Sequence, residues 1–199
     1  MRQVTDHASI NHHPFYYLPP MDDAMRHLVF VSHRSGQPEI FVELQEGGEL
    51  VQLTERDGLA EWSVHPSHDG RYVYFTDAAG GWRLEVGARR VEQLFAFDDG
   101  RRKIDGHVGV AMGTTSFSRD DRWRAVPAST GQQERVLVVD TGSGAADYIL
   151  EVESIGHPEF HPDDAGWLRY AGRYTAHIWV TRRDGSDHRL AYEHDAVDK

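Results

Sequence analysis

The chain has 199 residues, a formal charge of −11, thirteen histidines and no cysteine. That length allows one domain or two small ones with a real core, and the aromatic content marks a globular chain rather than a disordered one. The charge excludes a nucleic-acid surface, which needs a basic face to displace counterions, and the lack of Cys excludes disulfides and thiolate metal sites.

In chain order, the first segment, MRQVTDHASINHHPFYYLPP, has no apolar run that could serve as a signal-peptide core. No stretch reaches the length of a membrane span. The expectation is a soluble, cytoplasmic protein with neither membrane nor nucleic-acid partners. Helical periodicity is almost absent after that. Short runs of β-branched and aromatic residues alternate with Gly, Asp, Asn and Pro.

Four of these runs share a plan of apolar stretch, polar turn with Asp, and second apolar stretch: FYYLPPMDDAMRHLVF, WSVHPSHDGRYVYF, TSFSRDDRWRAV and PEFHPDDAGWLRY. With Tyr17, Val64, Phe117 and Phe160 as equivalent positions, the spacings are 47, 53 and 43 residues. Two more apolar runs follow each pair: EIFVELQ and LVQLT, WRLEVG and VEQLFAF, RVLVVDT and ADYILEV, HIWVTRR and HRLAYEH. The connections Gly47–Gly48, TGSG and RDGSD are good hairpin chemistry.

A period near 45 residues with four strands per unit is the signature of propeller blades. The fold expected is therefore all-β, a β-propeller of four-stranded antiparallel blades spanning about 13–55, 60–98, 113–153 and 156–195, in one domain over 1–199. A β-sandwich also shows many short strands, but the Asp-rich turn recurring at blade spacing favours the propeller. A closed ring of four leaves little room for a ligand channel. The expectation is an open part of a seven-bladed ring, completed by a homodimer partner or a missing C-terminal half.

Several histidines and arginines fall in the loops that line one mouth of such a ring. His12 and His13 precede the first strand, His33 and Arg34 follow the second strand of blade 1, and His107 lies in the link DDGRRKIDGHVGVAMGTT. Arg135 and Arg173 adjoin the within-blade loops of blades 3 and 4, and His157 opens blade 4. A His beside Pro at a strand start is ordinarily a turn residue. His65 and His161 lie inside the repeated turn and read as scaffold, His188 and His194 as solvated, and Arg101, Arg102 and Lys103 as a solvated charge run.

From GHPEFHPDD through RYAGRYTAHIWVTRRDGS the sequence resembles the oligogalacturonate lyases (polysaccharide lyase family 22), relatives of the TolB-like propellers. HLVFVSHRSGQPEIFVELQEGGELVQLTE resembles that family's first blade. The Asp-rich turns and the Gln-Leu-Thr ending are common to TolB-like propellers, whereas Gly156-His157-Pro158 is more specific. The resemblance implies that His157 is the base that takes a proton from a uronate ring, with Arg135 assisting. It also implies a manganese-like divalent metal held by a Thr-His-Glu motif and a late His-Pro-His stretch. Neither motif occurs here, and AGRYT stands where the family has a longer insert, so no metal ligand is assigned.

The implied reaction is coherent chemically. Removal of the C5 proton of a uronate breaks the C4–O bond by β-elimination, and that proton is acidic only when the adjacent carboxylate is neutralised by arginines or a metal. Imidazole titrates near neutrality and can serve as the base. Arg34, Arg173, His33 and His107 are the expected substrate contacts for an oligouronate. The competing reading is a non-catalytic TolB-like propeller that binds a protein or glycan at the same mouth. A peptidase propeller is disfavoured because no Gly-x-Ser-x-Gly elbow occurs.

Overall fold

The computed structural model describes residues 3–15, 18–45, 47–97, 114–129, 133–172 and 177–193. Its secondary structure is four antiparallel four-stranded sheets, and the helix among the described residues is one 3₁₀ turn, Glu61–Ser63. Blade 1 comprises β1 (Asn11–His12), β2 (His27–Ser32), β3 (Glu39–Leu44) and β4 (Leu50–Gln52). Blade 2 comprises β5 (His65–Pro66), β6 (Tyr72–Asp77), β7 (Gly80–Glu85) and β8 (Arg90–Ala96). Blade 3 comprises β9 (Ser116–Phe117), β10 (Trp123–Ser129), β11 (Glu134–Asp140) and β12 (Ala146–Val152), and blade 4 β13 (Gly156–Phe160), β14 (Trp167–Ala171), β15 (His177–Arg182) and β16 (Arg189–Glu193).

Within each sheet the strands follow chain order, so every blade is a meander. All-β propeller architecture is thus as expected. The chain divides into two compact units, Met1–Ala96 with blades 1 and 2 and Phe97–Lys199 with blades 3 and 4.

The middle strands explain the apolar runs. In the first unit the paired residues Val29↔Val42 and Val31↔Ile40 face one way. They pack with Val64, Val73, Phe75 and Leu84 of blade 2 in one buried cluster. The second unit has its own core, where Ala125, Val136 and Val138 meet Ile155, Phe160, Leu168 and Tyr170. Burial of both faces makes the middle strands continuous in hydrophobicity, whereas outer strands such as β12 carry exposed positions.

The recurrent Asp-rich turn is a hydrogen-bonded clip. In blade 2 the Ser67 hydroxyl donates to Asp69 (2.7 Å) and accepts from the Tyr72 amide (2.9 Å). In blade 3 the Ser118 hydroxyl donates to Asp120 (2.5 Å) and accepts from the Trp123 amide (2.9 Å). His161 occupies the same place in blade 4, its Nδ1 accepting from the Asp163 amide at 3.2 Å. The Gln-Leu-Thr ending is a second clip. The Thr54 hydroxyl donates to the buried Glu39 carboxylate (2.6 Å) and accepts from the Ile40 amide (2.8 Å), while Leu53 joins the core.

One expected element is displaced. The first strand of blade 1 is Asn11–His12, pairing with Ser32 and Val31, and not a strand centred near Tyr17, which itself lies outside the described residues. Phe15, Leu18 and Met21 make only isolated bridges. Pro14, Pro19 and Pro20 remove amide donors from this stretch, so it cannot supply a regular ladder. Elsewhere the equivalent positions hold: Phe117 and Phe160 lie in β9 and β13, and Val64 immediately precedes β5.

Candidate functional site

In the second unit, β13 enters blade 4 through an irregularity. Gly156 pairs with Ala171 but Glu159 pairs with Arg169, so His157 and Pro158 together stand opposite Tyr170. This is a β-bulge, and His157 takes the left-handed backbone conformation, φ 49°. Such a conformation costs a non-glycine residue free energy and is found where a side chain must be re-aimed. The His157 Nδ1 lies 3.0 Å from the Oγ1 of the buried Thr114. Burial holds the imidazole pKa below its ordinary 6.5, with the nearby Glu159 carboxylate opposing in part.

Just before the bulge, the Ile155 amide donates to the Glu134 carboxylate, which burial pushes to a higher pKa against that bond. Arg135 follows Glu134 on β11, so its side chain leaves the opposite face of the sheet. There it forms an ion pair with Glu151 and lies 5.4 Å from the Tyr148 ring, both residues being on β12. Arg135 therefore has an acidic partner of its own in the free protein.

His161 is exposed beyond the far end of β13, in the turn clip already described. His65 is buried, its Nδ1 donating to the Pro66 carbonyl at 2.7 Å. His188 is exposed yet stacks on two rings, 5.0 Å from Trp179 and 5.9 Å from Tyr170. Its Nε2 meets the Tyr170 hydroxyl at 2.7 Å. Burial lowers the His188 pKa and pushes the Tyr170 phenol up to about 12. His107, Arg173 and His194, like Arg101, Arg102 and Lys103, lie outside the described residues.

The first unit holds a second constellation. Glu61, opening the 3₁₀ turn before blade 2, receives His12 Nε2 at 2.8 Å and His33 Nε2 at 2.9 Å on the same carboxylate oxygen, Oε2. Burial raises the Glu61 pKa, but the hydrogen bonds from His12 and His33 outweigh it and hold the carboxyl below its ordinary value. Trp62 packs on the His12 ring with centroids 4.6 Å apart. Next to His33, the Arg34 guanidinium lies 4.6 Å from the Phe41 ring and donates to Thr5 Oγ1 (2.7 Å) and Ser32 Oγ (3.1 Å). The sequence reading picked out His12 and His33 but not Glu61. Its one signal was an acidic residue in the inter-blade link GLAEWSVHP, at the same end of the sheet as the other loop residues.

No family model matches the chain, and no curated protein matches it either. Solved structures do. An oligogalacturonate lyase from Vibrio parahaemolyticus superposes with a TM-score of 0.76 at 18% identity, over 92% of this chain and 53% of that one. An oligogalacturonate lyase in complex with manganese gives 0.78 at 16% identity, over 94% and 54%. A putative TolB from Agrobacterium tumefaciens gives 0.65 at 14% identity, over 92% and 62%. At such identities the likeness is one of fold. The chain spans about half the length of the two lyases. No helix among the described residues is long and apolar enough to cross a membrane.

Proposed function

We propose that the protein is an oligogalacturonate-lyase-like propeller acting on short, pectin-derived uronate oligosaccharides by β-elimination, with His157 as the base. The observation that carries this reading is the state of His157: a histidine held in a left-handed bulge at the start of an inner strand, hydrogen-bonded to Thr114 and kept neutral by burial. When Nδ1–H donates to Thr114, Nε2 is the basic nitrogen of the neutral ring. Nε2 would take the C5 proton, the C5–H electrons would form the C4=C5 double bond, and the C4–O bond would break. The leaving alkoxide would recover a proton from water or the new imidazolium.

Arg135 would exchange Glu151 for the uronate carboxylate, making C5 more acidic. Arg34, Arg173, His33 and His107 would serve as further contacts along the oligomer. A manganese-like divalent cation, when bound, would supply additional charge neutralisation. The motifs that the family resemblance implies for it do not occur in this sequence, so no residue is assigned to hold it. The TolB likeness and the existing Arg135–Glu151 pair favour a second reading, a non-catalytic propeller that binds a protein or glycan.

An ultraviolet assay for unsaturated uronate product, run on galacturonate oligomers with added Mn²⁺, separates the two. The lyase reading expects turnover that falls about 10²–10⁴-fold in His157→Ala, the worth of a positioned general base, and is nearly unchanged in His161→Ala. Absence of product from any uronate oligomer, or equal losses in the two variants, would count for the binding reading or against His157.

A further inference from the structure

We infer that His12, His33 and Glu61 form a binding site for a divalent first-row transition metal of the zinc type, built into the first unit and independent of the His157 reading. Their donor atoms all lie within 4.8 Å of one another, and among the described residues this is the group of three or more His, Asp or Glu so arranged.

The backbone explains the convergence. Asn11 pairs with Ser32 and His12 with Val31, and the His33 amide donates to the Ile10 carbonyl at 3.0 Å. His12 and His33 are therefore diagonal neighbours on one face of the β1–β2 ladder. Glu61 comes to the same face from the link into blade 2, with Trp62 walling the His12 ring.

The hydrogen bonds make the case chemical. His12 Nδ1 lies 2.8 Å from the His13 carbonyl, which can only accept, so Nδ1 carries the proton. A ring nitrogen fixed in this way by a backbone carbonyl is the usual orientation of a metal-ligating histidine, whose other nitrogen points at the ion. Here the other nitrogen points at a carboxylate oxygen that also faces His33 Nε2. Three acceptor-bearing groups can meet there only with protons or a cation between them.

Two imidazoles and one carboxylate, with a fourth position open to water, form the donor set of zinc sites that keep an open position. Imidazole ligands disfavour Mg²⁺ and Ca²⁺, which prefer all-oxygen shells. Ligand bonds of about 2.0–2.2 Å in a tetrahedron place donors roughly 3.3 Å apart. The present 2.8 and 2.9 Å separations would open by about half an ångström, a rotamer adjustment.

The test uses the whole chain after chelator treatment. Calorimetry with Zn²⁺, and Co²⁺ absorption in the visible, should show one saturable site with tetrahedral cobalt bands. His33→Ala and Glu61→Gln should each weaken it by more than the about 10–100-fold that outer-shell changes cost. Histidine-selective NMR on the unsubstituted protein should show Zn²⁺ shifting two imidazoles at Nε2, a readout that does not depend on the variants folding. No saturable binding, binding unaffected by both substitutions, or shifts confined to other histidines would overturn the inference. Each of these readouts is of metal binding itself and uses no measurement of lyase turnover.

Discussion

Replacing His157 by Gly and, separately, by Ala isolates the cost of the backbone at the proposed base. At φ 49° a Cβ crowds the following carbonyl, which costs an L-residue about 1–2 kcal/mol and glycine nothing. Glycine also loosens the unfolded chain, which costs about 0.4–1 kcal/mol relative to alanine. The two variants lose the same imidazole packing and the same hydrogen bond to Thr114, so those losses cancel in the comparison. The Gly variant should then be the more stable, by about 0.8 kcal/mol at the centre of these ranges, or roughly 2–3 °C in Tm for a chain of this size. Urea titration followed by tryptophan fluorescence reads this directly, because Trp123 and Trp179 pack against the core of the same unit. An Ala variant more stable than the Gly variant, at equal m-value, would refute the left-handed bulge. His157 would then not owe its direction to a bulge.

Four further outcomes rest on other contacts of the fold. Because burial depresses the His157 pKa, the unfolded chain takes up a proton near 6.5 that the folded chain resists. Its contribution to stability is full above that pH and is lost as pH falls through the folded value, and the acid limb of turnover should lie below 6.5. Tyr170 behaves oppositely: with its pKa raised from 10.0 to about 12, its contribution is present below 10 and lost as pH rises toward 12, so Tyr170→Phe should flatten alkaline unfolding curves. Ser118→Ala leaves the Trp123 amide and Asp120 without their clip and should cost about 1–3 kcal/mol in denaturant unfolding. Thr54→Val should cost a similar amount, about 1–3 kcal/mol, by leaving the Ile40 amide and Glu39 Oε2 without the hydroxyl, although Glu39 Oε1 keeps Gln37 and the Arg56 amide, and Thr54→Ser should stay close to the unsubstituted protein. A loss below about 0.5 kcal/mol in Ser118→Ala would show that the repeated turn is held by its backbone alone.

The blade period was legible because its causes are local. Ser67, Asp69, Arg71 and Tyr72 bond within a span of six residues, and the equivalent residues of blade 3 repeat the pattern, so the turn writes itself into the sequence of both blades. The continuous apolar runs of β2 and β3 marked them as middle strands, since both of their faces are buried. His161 was legible as punctuation for the same reason: it replaces the turn serine at the same offset. Other features depended on tertiary contacts. The apolar run around Tyr17 read as the first strand of blade 1, and pairing with β2 selected Asn11–His12 instead. The left-handed turn at His157 arises from a one-residue mismatch between β13 and β14, which neither strand reveals alone. Glu61 meets His33 and His12 across 28 and 49 residues of chain, and only the stacking of blade 2 on blade 1 brings them to one point. A repeat in sequence specifies that blades will stack; which side chains then share a few ångströms is set by register and twist, and those exist only in the folded sheet.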